Sequence, residues 1–584
     1  MGDLVFNGGK YGMWVGNQQF TVRNVTFNGV QTAIFGAWNW GWTFQTVTIS
    51  NCQVGFDLAT GNGSGAQTVG AEAIIDAVAI NTPIFLRTST ASHGAVIDAG
   101  SLVLNNIKLT NVPTAVGVVG GAVVLAGSAG SMTIDSWAQG NVYHGNGAGT
   151  FTQGSIPAPA KPAALLDSAG RVYGRGHPQY IGYALSQIVS VKDHGAKGDG
   201  VSDDTAALQS VFDTFAGCKI IFVDAGTYIV TSTLRIPAGS QVVGEGWSVI
   251  AGKGPAFADM NNPQVVVQVG APGSSGIMEI TDIIFSTVGP APGAIVVEWN
   301  VHESTQGSVG MWDSHIRLGG AAGTNLELAQ CSATGGSPNC YAAFLALHLT
   351  AGSSAYLEGT WAWLADHEME GDGYSQLTLY SGRGVLSESA GPVWMIGAAA
   401  EHHTLYQFNL VGAKNHYMGL LQTETVCAHG ERMMSCSDLS SPAVLPADPR
   451  RSWTVHAQQR VPRSVLLWDH LRLGSQRDRL LEHPCLWRRI LQLLQQLLAN
   501  VSDAVQLPEP SRQHRLGVVR QHLQPVDRRV DVTAQRERRG RDQPRCELER
   551  ICRYGHVVEP VECVYLQLTN LTLLSLSFLS LITA

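Results

Sequence analysis

The sequence predicts an all-β fold built from two tandem right-handed parallel β-helices, followed by an irregular C-terminal tail. Three observations predict it. Short phrases of β-branched residues recur with a period near 22 residues. Gly and Asn fill the intervals between them, and 3.6-period runs of ten or more residues are scarce. Midway, a polar segment leads into one amphipathic helix, after which the strand phrases begin again.

The first elements share a phrase: LVFNGGKYGMWV (4–15), VTFNGVQTAIFG (25–36) and VTISNCQVGFDL (47–58). Phe6, Phe27 and Ile49 are 21 and 22 residues apart, and Asn7, Asn28 and Asn51 are 21 and 23 apart. Similar phrases follow at AIIDAVAINTPIFL (73–86) and LVLNNIKLTNVPTAV (102–116). Units of this size bury their inner face only against their neighbours, which is a solenoid. Gly supplies the corners and stacked Asn can ladder along the axis. A β-sandwich with evenly spaced strands is the alternative. Residues 1–150 are read as the remainder of a first β-helix. Residues 151–189, rich in Pro, Gly and Ala, read as a linker.

A second β-helix is expected over 190–425. It opens with VKDHGAKGDGVSDDTAALQSVFDTFAGCKIIFVDAGTYIV (191–230). Asp203 or Asp204 can cap a helix whose residues Ala207, Leu208, Val211, Phe212 and Phe215 share one face. Such a helix can cover the open end of a solenoid and protect its strand edges. Strand phrases then run on to PVWMIGAAAEHHTLYQFNL.

Composition breaks near residue 425. Residues 1–425 hold 15 Lys and Arg against 29 Asp and Glu; residues 426–584 hold 22 Arg, no Lys and only 5 of the 66 Gly. The low overall charge, a net −8, excludes a nucleic-acid binder working by bulk charge, and the apolar content excludes a disordered acidic chain. The tail has no strand rhythm and reads as a shifted reading frame or a solvated basic segment. The N-terminus shows no signal peptide. Nothing in 1–425 is long and apolar enough to span a membrane, and the final LQLTNLTLLSLSFLSLITA is laced with Ser and Thr, so no membrane association is expected. Cys331 and Cys340 bracket a short polar loop and either close a disulfide or remain two thiols. No His/Cys cluster has zinc spacing, so no metal or cofactor is expected.

The phrase VKDHGAKGDGVSDDTAALQ resembles the leading segment of the pectate-lyase-like β-helix superfamily. The segments MGDLVFNGGKYGMWVGNQQFTVRNVTFNGVQTAI, WNWGWTFQTVTISNCQVGFDL, TWAWLADHEMEG, EHHTLYQFNL and HYMGLLQTET are together similar to fungal exo-β-1,3-glucanases of glycoside hydrolase family 55. The resemblance covers residues 1–425. It implies an extracellular enzyme with two side-by-side β-helices. It also implies release of glucose from the non-reducing end of β-1,3-glucan with inversion, no nucleic-acid partner, and a monomer. Measured against the family, the first β-helix is incomplete and the coils after LLQTET are replaced.

Glycoside hydrolysis needs a carboxylic acid for the leaving oxygen and a way to deliver water. Glu401 and Glu424 are 23 residues apart, one period, so they can occupy equivalent places on adjacent coils about 4.8 Å apart. Carboxyls that close raise one pKa, which supplies a protonated acid. The family pattern makes Glu424 the general acid and Glu401 its acidic neighbour. A separation near 5 Å would by itself favour a retaining nucleophile, whereas the resemblance implies inversion. Water would then be held by other groups, some of them on the first β-helix. Trp361 and Trp363 alternate along one strand, and aromatic faces stack on sugar rings. Trp363, followed by Asp366 and His367, is the expected wall of the glucose subsite, while Trp361 divides evenly between wall and core. His402 divides between a sugar contact and a structural role. WNWGW (Trp38, Trp40, Trp42) is read as packing. Polygalacturonase and pectate-lyase chemistry is disfavoured: there is one Asp–Asp pair, at 203–204, and no Arg within a carboxylate cluster. A binding or structural solenoid without activity stays open.

Overall fold

The computed structural model describes residues 1–58, 69–88, 101–118, 121–142, 150–332 and 337–424. The Arg-rich tail 426–584, the apolar C-terminus and the Asn62 glycosylation sequon lie outside them. The described residues belong to one compact unit and form two solenoids joined by a strap.

The first solenoid is a sheet of ten strands. Parallel pairing places Phe6 on Phe27, Phe27 on Ile49, Ile49 on Ala79 and Ala79 on Leu109, so the period near 22 is the length of the first coils, and the next two lengthen to 30 residues. Phe6 and Phe27 stack at 4.9 Å, and Phe44, Phe56 and Phe85 continue an aromatic spine at 5.2 and 5.4 Å. The expected asparagine column is in fact two. Asn28 donates to Asn7 at 3.0 Å, but its counterpart on the next coil is Ser50. Asn51 sits one place further on, with positive φ, and receives the side chain of Asn81, which receives that of Asn111. Asn tolerates this left-handed backbone because its short amide can bond locally.

Two expectations are corrected here. The last coil is not parallel: Val123–Val142 runs antiparallel to Ser101–Val118, and Thr150–Ser155 antiparallel to Val123–Val142. The first solenoid therefore extends to Ser155, and the connecting segment is 156–187 rather than 151–189. That segment is no loose linker. Val172 N–H donates to Asp76 in the first solenoid, and the Gln45 amide donates to the Val172 carbonyl. Trp394 and Trp312 of the second solenoid donate their indole N–H to the carbonyls of Leu165 and Arg175.

The second solenoid is parallel throughout its ladders and has three faces. One runs through Val309–Trp312, Ala355–Glu358, Val393–Ile396 and His416–Met418. Another runs through His315–Leu318, Trp361–Leu364, Ala398–Glu401 and Leu421–Glu424. The third begins at Leu234–Ile236 and ends at Tyr406–Leu410. The helix Thr205–Phe215 covers the starting end, with Leu208, Val211 and Phe212 buried and Ala207 and Phe215 packed beside them. Asp204 holds the N-cap position but its carboxylate accepts from the N–H groups of Lys197 and Gly198 rather than from the helix; Asp203, one place earlier, accepts from Thr205 N–H at 3.0 Å.

The first-named face packs on the first solenoid. Ala73 and Ile75 meet Trp312, Tyr356, Trp394 and Ile396, with Leu165 and Val172 of the strap between them. Arg23 reaches across to Glu358 at 3.3 Å in a buried ion pair, and Tyr356 hydroxyl donates to the same carboxylate at 2.6 Å. At the corner after Ile396 the chain must be Gly397: φ is 59°, and a Cβ would lie 2.2 Å from Thr21 Oγ1.

Candidate active site

The corner at Gly397 turns the chain onto the second face, and the outward side chains of that face form two columns. Arg317, Trp363, Glu401 and Glu424 are in register in one; His315, Trp361, Ala399 and Gln422 are in register in the other. The coil length thus brings Glu401 and Glu424 side by side, as the 23-residue spacing predicts.

The two carboxyls occupy unlike surroundings. Glu401 is 3% exposed, whereas the side chain of Glu424 is 52% exposed. Burial pushes the Glu401 carboxyl up to about 7; His402 works against this, and Glu424 adds to it. The Trp361 indole N–H also favours the charged form of Glu401. His402 holds a left-handed backbone, φ 66°, directly after Glu401. Its Nδ1 meets the Leu364 carbonyl at 2.8 Å and its Nε2 lies 3.7 Å from Glu424, an ion-pair distance too long for a hydrogen bond. Burial opposes charge on this ring, but Glu424, the Leu364 carbonyl and Asp366 outweigh it and raise His402 to about 9. One donor atom from each of Glu401, His402 and Glu424 lies within 4.8 Å of the others. Groups this close interact electrostatically, as the effects of His402 and Glu424 on Glu401 record.

The first solenoid enters the site through Gln19. Its amide nitrogen lies 3.5 Å from Glu401 Oε1 and makes a short contact with Gln422 Oε1. Neither glutamine stands out in the sequence. Gln422 could have been found from the column that holds Glu424, but nothing local marks Gln19.

A family model described as "Rhamnogalacturonase A/epimerase, pectate lyase-like" matches residues 1–57 and 188–306, the openings of the two solenoids. A "Glucan 1,3-beta-glucosidase" of Cochliobolus carbonum is 43% identical, over 73% of this chain and 54% of its own length. A "Probable glucan endo-1,3-beta-glucosidase" of Arthroderma benhamiae is 38% identical, over 73% and 59%. The chain is a homologue of these fungal glucanases, on a pectate-lyase-like β-helix. It spans between half and three fifths of the length of these curated relatives. A more distant relative, "Glucan endo-1,3-beta-glucosidase BGN13.1" of Trichoderma harzianum, is 30% identical over 72% of the chain and 53% of its own length.

In this glucanase homologue the remaining predicted residues fall around the same trio. Trp361 and Trp363 do share one side of their strand, their rings stacked at 5.2 Å. Trp363 lies in the Glu401 column but is only 6% exposed, because His367 covers it at 5.4 Å. Trp361 is the more open of the two, half-buried at the edge of the core. Asp366 accepts from His367 Nδ1 at 2.6 Å, and this bond raises the pKa of the imidazole. His403 is structural: it is fully buried, bonded to Ser381 and the Ala362 carbonyl, and burial lowers it to about 4. Of the WNWGW residues, Trp42 packs in the first core, but Trp40 is 46% exposed.

The disulfide left open by the sequence is formed between Cys331 and Cys340. The start of the loop it closes, Cys331 and Ser332, pairs with Leu377 and Thr378, and Leu377 N–H in turn donates to the Asp366 carbonyl.

Proposed function

We propose that the chain hydrolyses β-1,3-glucan from the non-reducing end, releasing glucose with inversion, and that Glu424 delivers the proton to the leaving oxygen. The observation that carries this reading is the in-register pair of one buried and one exposed carboxyl, beside a histidine at ion-pair distance from the exposed one. The exposed partner is the one a glycosidic oxygen can reach. Glu401, 3% exposed, cannot approach an anomeric carbon. Its burial supports a role beside the acid rather than that of a retaining nucleophile, in keeping with inversion. Gln19 is suited to orient water from the opposite wall, since its amide can donate to and accept from water at once. Homology to proteins named for 1,3-β-glucan supports the substrate class. The disulfide suits an extracellular enzyme.

The test is proton NMR of laminarin digestion, with Glu424→Gln alongside. Glucose appearing first as the α-anomer, with activity lost in the variant, is the expected result. A ladder of oligosaccharides would replace exo action with endo action. A variant as active as the wild type would remove Glu424 from the chemistry. Binding without any hydrolysis would leave a carbohydrate-binding solenoid.

A further inference from the structure

We infer that Trp40 of the first solenoid is a sugar-stacking residue on the wall facing the carboxyls, contributing a glucan subsite that the second solenoid does not supply. This rests on the glucanase reading above. Asn39 and Trp42 both point into the first solenoid: Asn39 is 2% exposed and bonded to the buried Glu72, and Trp42 is packed in the core. Two residues lie between two inward-facing ones, so strict alternation is broken and Trp40 and Gly41 form an outward corner. The coil before repeats the pattern, with Phe20 stacked on Trp42 at 5.1 Å and Gln18 and Gln19 at the corner.

Two outward columns result. One contains Gln19 and Gly41, which are in register, and both meet the second solenoid. Gln19 reaches Glu401 and Gln422, and a Cβ on Gly41 would lie 2.9 Å from Leu420. The adjoining column contains Gln18, Trp40 and Gly70. Gln18 is exposed, and Gly70 has no side chain to cover the indole. Among the described residues Trp40 therefore stays 46% exposed, immediately beside the strip that seats Gln19 against Glu401. Single exposed aromatics are ordinary on a protein surface, and Trp14 and Trp247 are more exposed than Trp40; what sets Trp40 apart is its place. At this place, beside groups suited to glycoside hydrolysis, a glucose ring offering an apolar C–H face fits the indole.

The experiment uses the full chain and laminaritetraose. Binding is measured calorimetrically on Glu424→Gln and on the same variant carrying Trp40→Ala or Trp40→Phe. The expected result is binding weakened about three- to tenfold by Ala and largely restored by Phe, with unchanged thermal midpoints. In the otherwise wild-type enzyme, Trp40→Ala should raise KM for the tetraose while leaving the pH profile of kcat in place. Unchanged binding in a protein that still hydrolyses laminarin would overturn the inference alone. No tetraose binding by any variant would overturn the glucanase reading with it.

Discussion

Glu401 is a carboxyl that the fold keeps short of charge, and this sets its behaviour with pH. Its pKa is raised in the folded state, so the protonated form is the favoured native form. The stability that goes with it is complete below about pH 4.5 and declines as pH rises through about 7. A shift of this size corresponds to about 3 kcal/mol. Thermal scans should show the midpoint falling between pH 4.5 and 7, and Glu401→Gln should flatten that fall; an identical slope in the variant would refute it. Activity should decline through the same interval, because Glu401 gains its charge beside Glu424 there. His402 behaves with the same sign at higher pH: its raised pKa means its charge supports the native state below about 6.5 and is lost through about 9. The pair Glu401–Glu424 was legible because its spacing equals one coil. Gln19 was not, since a contact between residues 382 positions apart on different solenoids leaves no trace in any period. The exposures of Trp363 and Trp40 were not legible for a related reason. Alternation tells which side of a strand a ring takes, but the covering His367 and the corner beside Gly41 belong to neighbouring elements.

Among elements, the loop closed by Cys331 and Cys340 touches Asp366 and His367 through one intermediary. The segment after Leu364 has little ladder of its own; it is pinned by an isolated bridge from His367 to Gln376 and by Leu377 N–H on the Asp366 carbonyl, and Leu377 in turn bridges to Ser332 in the disulfide loop. Replacing both cysteines with serine should cost about 2–3 kcal/mol of stability, given the short loop they close. If the loop positions the site, KM for laminari-oligosaccharides should rise at 25 °C, where the double variant remains folded. A fall in thermal midpoint with KM unmoved would mean that the bond serves the fold alone. The capping helix was readable from its own residues, down to the buried Leu208, Val211 and Phe212, because a helix writes its packing face into 3.6-residue spacing. The antiparallel turn-back at Val123–Val142 was not readable, since parallel and antiparallel strands share the same alternation.

Across the whole molecule, the two solenoids and the strap share one apolar seam, so neither should melt alone. Trp394 is fully buried there, and its indole N–H is bonded to the strap. Trp394→Ala should cost about 3–5 kcal/mol and lower a single calorimetric transition, rather than split it into two. Removing Glu358 should act likewise, since it leaves Arg23 buried without its partner at a cost of about 3–5 kcal/mol. The far end of the first solenoid carries a different message. Solenoids lengthen by duplicating a coil, and each new coil is templated by a parallel strand already in place. With Val123–Val142 and Thr150–Ser155 folded back against the last parallel strand, chain polarity is reversed at that end, and a duplicated coil arriving there would meet no matching register. Growth of this half of the protein by repeat duplication is barred on that side, which leaves the number of coils next to the strap fixed.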